Sequence, residues 1–150
     1  MNDRYNILLV EDNFDHAELI KRSFDEQNFH NKIFHVGDGE QALNYLKRAG
    51  IFSDPDISPK PHIIILDLRI PKIEGIELLK IIKNENTLKK IPVIILTSSN
   101  SKKDKAQAYD NYANSYLVKP LDYNEFIKMI NGFGLYWLGL NQNPFNNYEN

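Results

Sequence analysis

The chain has no cysteine, little net charge and no long apolar run, and each absence excludes a class of protein. Without cysteine there are no disulfide bonds, no thiolate nucleophile and no Cys-ligated metal. A net charge of −2 gives no basic excess of the kind that nucleic-acid binders carry. No apolar run approaches the roughly 18 residues of a membrane span, and the start MNDRYNILLVED is too charged for a signal peptide. We therefore expect a cytoplasmic protein that binds neither nucleic acid nor membrane.

Short aliphatic runs alternate along the sequence with stretches of helical periodicity. The runs occur at Ile7–Val10, Ile33–Val36, Ile63–Leu66, Val93–Leu96 and Tyr116–Val118. Helical spacing is clearest at Gly75, Leu78, Leu79 and Ile82, and again at Phe126, Met129, Ile130 and Phe133. Five strands alternating with five helices predict an α/β fold with a parallel sheet. Because the runs are continuously apolar, we expect helices on both faces of that sheet.

Helix starts, one loop and one tail complete the organisation. Capping-box-like pairs predict three helix starts: Asp38 with Gln41, Ser101 with Asp104, and Asp122 with Glu125. The segment AGIFSDPDISPKP carries three prolines and predicts a surface loop inserted at about 50–61. From residue 134 the chain reads GLYWLGLNQNPFNNYEN, first bulky and apolar, then rich in asparagine. We expect one domain over 1–134 and a C-terminal extension over 135–150.

Polar side chains follow four of the predicted strands where each strand ends. They are Glu11 and Asp12, Asp67, Thr97 with Ser98, and Lys119. Carboxyl ends of parallel strands meet at one edge of a sheet, so these groups should converge. Clustered carboxylates repel one another unless a cation is present, and oxygen-only ligands favour Mg²⁺. A central Asp could attack a phosphoryl group and form an aspartyl phosphate, with the lysine and the hydroxyl binding phosphoryl oxygens.

Four motifs at these strand ends carry a family resemblance. ILLVEDN, ILDLRIPKIEG, VIILTSS and SYLVKPLD, in this order and spacing, resemble the receiver domain of two-component response regulators over about residues 5–134. The resemblance implies a flavodoxin-like, CheY-like fold with five strands in the order 2-1-3-4-5. It also implies a phosphorelay protein that switches conformation to signal to a protein partner. Its only catalysis would be its own phosphorylation and dephosphorylation.

The same resemblance assigns roles to the acids at the strand ends. Asp67 would be the phosphoacceptor, taking its phosphoryl group from a phosphohistidine on a sensor histidine kinase. Mg²⁺ would be held by Asp12 directly, by Glu11 largely through water, by Asp67, and by the backbone carbonyl of Arg69. Taken alone, Glu11 and Asp12 could merely start the following helix, since acids favour helix N-termini.

Roles for the other residues also follow from the resemblance. Lys119 would contact the phosphoryl oxygens, and the Lys119–Pro120 bond would be cis. Thr97 and Tyr116 would form a switch pair, in which the hydroxyl moves to the phosphoryl group and the ring swings inward. Arg69 departs from the commonest pattern by its size and charge, and Ser99 is its counterpart after Thr97. We predict that Arg69 and Ser99 tune the lifetime of the phosphorylated state.

The end of the chain and the 50–61 loop are the features that bear on binding partners. Residues 135–150, which follow the last predicted core helix, are too few for an output domain, so we expect a stand-alone receiver that acts on an unidentified downstream protein. The 50–61 loop and the GLYWLGL segment resemble the small regulators served by bacterial phytochrome kinases. That resemblance implies a homodimer through the last helix and residues 135–140. The alternative is that these apolar side chains fold back onto the last helix.

Three other functions are weighed against an active receiver. A dinucleotide-binding module is excluded because VEDNFDHAE lacks a glycine-rich turn. A phosphatase of the haloacid-dehalogenase type would want a second Asp where Arg69 stands. A degenerate receiver, binding partners without phosphorylation, would be expected to lack the acceptor, the acid pair or the lysine.

The histidines (His16, His30, His35 and His62) show no mutual ligand spacing and are expected at surface or strand-packing positions.

Overall fold

A computed structural model describes residues 4–27 and 29–142 and shows alternating strands and helices in this part of the chain. The strands are β1 (Tyr5–Val10), β2 (Asn31–Val36), β3 (Ile63–Leu66), β4 (Val93–Thr97) and β5 (Ser115–Val118). The helices are α1 (Phe14–Asp25), α2 (Gly39–Lys47), α3 (Gly75–Asn84), α4 (Lys102–Asp110) and α5 (Tyr123–Gly134). All strands pair in parallel in the order β2-β1-β3-β4-β5, which confirms the predicted fold. None of the described helices has both the length and the apolarity that crossing a membrane requires.

The sheet is buried on both faces because successive side chains of a strand point to opposite sides. Leu8, Ile64 and Ile95 belong to one apolar cluster, which side chains of α2, α3 and α4 cover. Ile7 and Ile65 belong to the other, which α1 and α5 cover. Burial of each such aliphatic side chain stabilises the fold by about 1.5–3 kcal/mol relative to leaving it exposed. The continuous apolar runs therefore fix the strands in the centre of the molecule and direct their carboxyl ends to one rim.

The three predicted helix starts are confirmed by their caps. Side-chain oxygens of Asp38, Ser101 and Asp122 accept the backbone N–H groups of Gln41, Asp104 and Glu125 at 2.8, 3.1 and 2.9 Å. Such a cap stabilises a helix by about 1 kcal/mol. These contacts fix where α2, α4 and α5 begin after the strand ends.

The proline-containing loop is ordered against α2. It contains a short 3₁₀ turn at Gly50–Phe52. The buried Ser58 hydroxyl donates to the Phe52 carbonyl at 2.6 Å, and the Tyr45 hydroxyl donates to the Pro59 carbonyl at 2.8 Å. Most of the segment is exposed; the Ser58 bond closes the loop on itself, and the Tyr45 bond fastens it to α2.

The C-terminal extension divides between packed and exposed side chains. After α5 a π-helical turn spans Leu135–Leu140. Leu138 is buried and Trp137 packs on the cluster that α1 and α5 cover, so these two fold back as the alternative proposed. Three apolar side chains stay 49%, 50% and 65% exposed, namely Leu135, Tyr136 and Leu140. Residues 143–150 of the predicted extension lie outside the described residues.

Candidate functional site

The acid pair follows β1 at the rim of the sheet. Glu11 is 1% exposed, and its N–H donates to the Val36 carbonyl of β2 at 3.1 Å. Asp12 is exposed. Asn13, rather than either acid, caps α1, because its side chain accepts the His16 N–H at 3.1 Å. The two carboxylates are therefore not used to start the helix.

Asp67 is held at the end of β3 by backbone contacts. Its N–H donates to the Val10 carbonyl at 3.1 Å, and the residue is 6% exposed. Gly75 begins α3 directly behind it: a Cβ at this position would lie 2.5 Å from Leu68 Cα and 2.6 Å from the Asp67 carbonyl oxygen. Backbone atoms cannot yield as a flexible side chain can. Glycine in the motif IPKIEG therefore lets the helix approach the acceptor.

Lys119 brings the acids of two strands together. Its Nζ donates to Glu11 Oε1 at 2.5 Å and to Asp67 Oδ2 at 2.9 Å, with all three side chains buried. Its backbone N–H donates to the Thr97 carbonyl at 2.8 Å. Burial raises the pKa of Glu11 to about 7 even though Lys119 pulls that pKa down. One buried ammonium group thus balances two buried carboxylates only in part.

The carboxylates have the arrangement of a metal site. One oxygen each from Glu11, Asp12 and Asp67 lies within 4.8 Å of the others. Hard oxygen donors without histidine or cysteine fit a divalent cation such as Mg²⁺. The Arg69 N–H donates to Asp67 Oδ1 at 3.1 Å, which places the Arg69 backbone in the same loop.

The predicted cis bond at Lys119–Pro120 is wrong, because the described residues contain no cis peptide bond. The trans form of a bond before proline is favoured by about 0.5–1 kcal/mol. The chain already places the Lys119 ammonium group between its two carboxylates with this bond in the trans form. A cis bond is therefore not needed to bring the lysine into the site.

The two predicted switch residues meet at one loop. Thr97 is fully buried at the end of β4, and its Oγ1 accepts the Ser99 N–H at 3.4 Å. Tyr116 on β5 is half-buried, and its hydroxyl donates to the Ser99 carbonyl at 2.9 Å. Burial raises the pKa of Tyr116, which keeps this hydroxyl protonated. Both side chains thus contact the backbone of the same residue between β4 and α4.

Asp104 joins the site although the sequence marked it only as a capping partner. Its Oδ2 accepts from the Arg69 guanidinium at 2.6 Å and from the Ser99 hydroxyl at 2.5 Å. Asp104 lies in the first turn of α4 and is 7% exposed. The only sequence signal was its place just after the polar end of β4. This carboxylate connects the two residues that we predicted to tune the phosphoryl lifetime.

His16 is the second residue that sequence reasoning missed. Its Nδ1 lies 3.0 Å from Lys119 Nζ, and its ring packs 5.3 Å from the Phe126 ring. Burial and the Lys119 charge lower the pKa of His16, so its neutral ring can accept from the ammonium group. Its position one turn after the acid pair was the available signal.

The remaining histidines are found where the sequence places them. His35 contacts the Glu11 carbonyl at 2.7 Å, and His62 accepts the Asn6 N–H at 2.9 Å, while His30 is exposed.

The chain is similar to known proteins over most of its length. Residues 7–131 match the family described as "Response regulator receiver domain". A probable methanogenesis regulatory protein, FilR2 of Methanothrix harundinacea, is 42% identical over 142 residues, covering 95% of this chain and 89% of its own. Response regulator Rcp1 of Synechocystis is 34% identical over 142 residues, covering 92% and 95%.

Solved structures agree with these relatives. The Mn²⁺-bound form of response regulator Rcp1 is similar with a TM-score of 0.88 and 33% identity, over 93% of this chain and 99% of that one. The phosphorylated cyanobacterial phytochrome response regulator RcpA has a TM-score of 0.89 and 32% identity, over 94% and 99%.

Proposed function

The chain belongs to the response regulator receiver domain family, and from that premise we propose that it accepts a phosphoryl group on Asp67 from a histidine kinase. The observation that carries the proposal is the contact of Lys119 Nζ with both Glu11 and Asp67. This contact gathers acceptor, acid and cation from three strand ends at one rim. The phosphorylated protein would then signal through a change in conformation.

The transfer uses one carboxylate oxygen of Asp67 as nucleophile. That oxygen attacks the phosphorus of a phosphohistidine, a P–O bond forms, the P–N bond breaks, and the imidazole leaves with a proton. Lys119 balances charge on the other carboxylate oxygen, which it already contacts. Attack by water on the same phosphorus breaks the P–O bond and restores Asp67 with release of inorganic phosphate. The protein thus acts on its own phosphoryl group and is not an enzyme for an external substrate.

Mg²⁺ is the proposed cofactor. Asp12 would hold it directly, Glu11 largely through water, and Asp67 and the Arg69 carbonyl would complete the protein ligands. When bound, the ion supplies positive charge against the phosphoryl oxygens. The proximity of the three carboxylates supports this set. The Mn²⁺-bound form of the similar Rcp1 supports a divalent cation in the same kind of domain.

Thr97 and Tyr116 are the proposed switch pair. The Thr97 hydroxyl would move to the phosphoryl group, and the Tyr116 ring would swing inward. Support comes from their shared contact with Ser99, since a shift of this loop alters both bonds together. Arg69 and Ser99, which meet on Asp104, are proposed to set how long the phosphoryl group survives.

The proposed partners are a sensor histidine kinase, a downstream protein and a second copy of the chain, all in the cytoplasm. RcpA, which is described as a phytochrome response regulator, supports a kinase of the phytochrome type. The homodimer would form through α5 and residues 135–140. The exposed apolar side chains of that turn support such an interface.

The function is tested by incubating the protein with Mg²⁺ and acetyl phosphate and measuring its intact mass. We expect one added phosphoryl group that is stable in acid and labile in base. Asp67→Asn is the matched control, because it keeps the side-chain shape and removes the nucleophile. An unmodified wild-type protein would instead favour a degenerate receiver that binds partners without phosphorylation.

A further inference from the structure

Asp104 ties three segments of the fold together through one oxygen. Its Oδ2 accepts from Arg69 in the loop between β3 and α3, and from Ser99 in the loop between β4 and α4. Asp104 itself lies in the first turn of α4. The carboxylate side chain is 11% exposed, whereas the Arg69 side chain is 66% exposed. The anion is therefore fixed, and the cation is the partner with freedom to leave.

Arg69 is bound at both ends to different carboxylates. Its backbone N–H donates to Asp67 Oδ1 at 3.1 Å while its guanidinium pairs with Asp104 at 2.6 Å. Lys119, the other rim cation among the described residues, is already shared by two acids. Ion pairs with an exposed partner are held weakly because solvent competes for the charge. Arg69 is thus the cation that new negative charge on Asp67 can recruit.

We infer that Arg69 is exchanged between two anions: Asp104 before phosphorylation and the aspartyl phosphate of Asp67 after it. The inference rests on the proposed function, since the second anion exists only when Asp67 carries a phosphoryl group. A phosphoryl group brings more negative charge than a carboxylate and offers three acceptor oxygens to a guanidinium. Asp104 is the positioning residue in this exchange, because it holds Arg69 away from the acceptor.

When the Arg69 guanidinium leaves Asp104, the ion pair that joins α4 to the β3–α3 loop is broken. Among the described residues, the Ser99 hydroxyl then remains as the side-chain donor to Asp104, and the Ser99 carbonyl accepts from the Tyr116 hydroxyl. Arg69 and Asp104 both line a cleft of about 470 Å³ between α3 and α4. The exchange therefore moves a positive charge away from this cleft.

The test is a double-mutant cycle on the intact chain. Asp104→Asn keeps the shape of the side chain and removes its charge, and it is made in both the wild-type and the Arg69→Ala backgrounds. Asp110→Asn is the matched control, because it removes one exposed acid from the other end of the same helix. The measurements are phosphorylation by acetyl phosphate with Mg²⁺, autodephosphorylation, and hydrogen exchange of residues 101–105.

We expect Asp104→Asn to phosphorylate severalfold faster, to dephosphorylate severalfold more slowly, and to exchange faster over 101–105 before phosphorylation. Neither rate should respond to Asp104→Asn when residue 69 is Ala, and Asp110→Asn should match wild type. Unchanged rates in Asp104→Asn, or the same change in both backgrounds, would overturn the exchange. The receiver function would still stand in that case, provided that the wild type becomes phosphorylated. A wild type that gains no phosphoryl group would overturn both.

Discussion

Lys119 donates from Nζ to Asp67 Oδ2 at 2.9 Å, although 52 residues separate them in the chain. Glu11 shares the same ammonium group, so the buried rim carries two carboxylates and one cation. An uncompensated buried charge is costly, and charges of one sign raise each other's free energy. The site is thus prepared for further positive charge, which a divalent cation would provide.

Replacing Lys119 by Met should leave the carboxylates of Glu11 and Asp67 to repel each other without their shared cation. We expect the free energy of unfolding without Mg²⁺ to fall by about 1–3 kcal/mol, because two buried carboxylates lose their shared donor. Saturating Mg²⁺ should then stabilise the variant more than it stabilises wild type. Urea unfolding followed by Trp137 fluorescence measures both effects. Lys128→Met, on the exposed side of α5, should behave as wild type; an equal Mg²⁺ effect in all three proteins would contradict the charge balance.

Asp12 is the acid at the rim for which the described residues show no ion pair. We expect Asp12→Asn to bind Mg²⁺ at least tenfold more weakly, a loss of about 1.4 kcal/mol, because a direct ligand loses its charge. Stability without metal should stay equal or rise, since repulsion among the three acids falls. Titration calorimetry gives the affinity. Asp15→Asn removes an exposed acid one turn away and should bind normally; equal affinities in both variants would exclude Asp12 as a ligand.

The lifetime of the phosphoryl group should depend on Arg69 and Ser99. Arg69→Ala removes the guanidinium that would cover the phosphoryl group, so we expect autodephosphorylation to be severalfold faster. Ser99→Ala leaves Arg69 as the side-chain donor to Asp104 among the described residues. Asp104 should then hold that cation more firmly, so we expect the lifetime to shorten by a smaller factor. Loss of the phosphorylated mass with time measures both rates. If neither variant differs from wild type, the tuning role is wrong.

The proposed homodimer can be tested without removing the packed part of the extension. Truncation after Gly134 would also delete the buried Leu138, so substitutions of exposed residues are cleaner. We expect Tyr136→Ser with Leu140→Ser to sediment as a monomer under conditions in which wild type is a dimer. Ile51→Ser with Ile57→Ser removes two other apolar side chains that are at least half exposed, and this variant should remain dimeric. The dimer proposal would be wrong if the wild type were a monomer, or if the variant with Tyr136→Ser and Leu140→Ser kept the mass of a dimer.

Local patterns predicted the fold well because they encode burial and hydrogen bonding directly. The aliphatic runs located every strand, and the capping pairs located three helix starts. The polar first residues of β1 and β2, such as Asn6 and Lys32, were not predicted as strand. They join the sheet through pairing with each other, which composition does not show.

The site was predictable where strand ends determine it and not where a helix side chain meets the rim. Convergence of Glu11, Asp67 and Lys119 follows from parallel strands with a common rim. The contacts of His16 with Lys119 and of Asp104 with Arg69 depend on how α1 and α4 pack against that rim. Spacing along the chain carries no record of such contacts.

The most direct test of the account is to locate the phosphoryl group chemically. Borohydride converts an aspartyl phosphate to homoserine, so the phosphorylated protein can be reduced, digested and read by peptide mass spectrometry. The account predicts homoserine in place of Asp67, in a reaction that requires Mg²⁺. Homoserine at another acid, or none in protein treated with Mg²⁺ and acetyl phosphate, would contradict it.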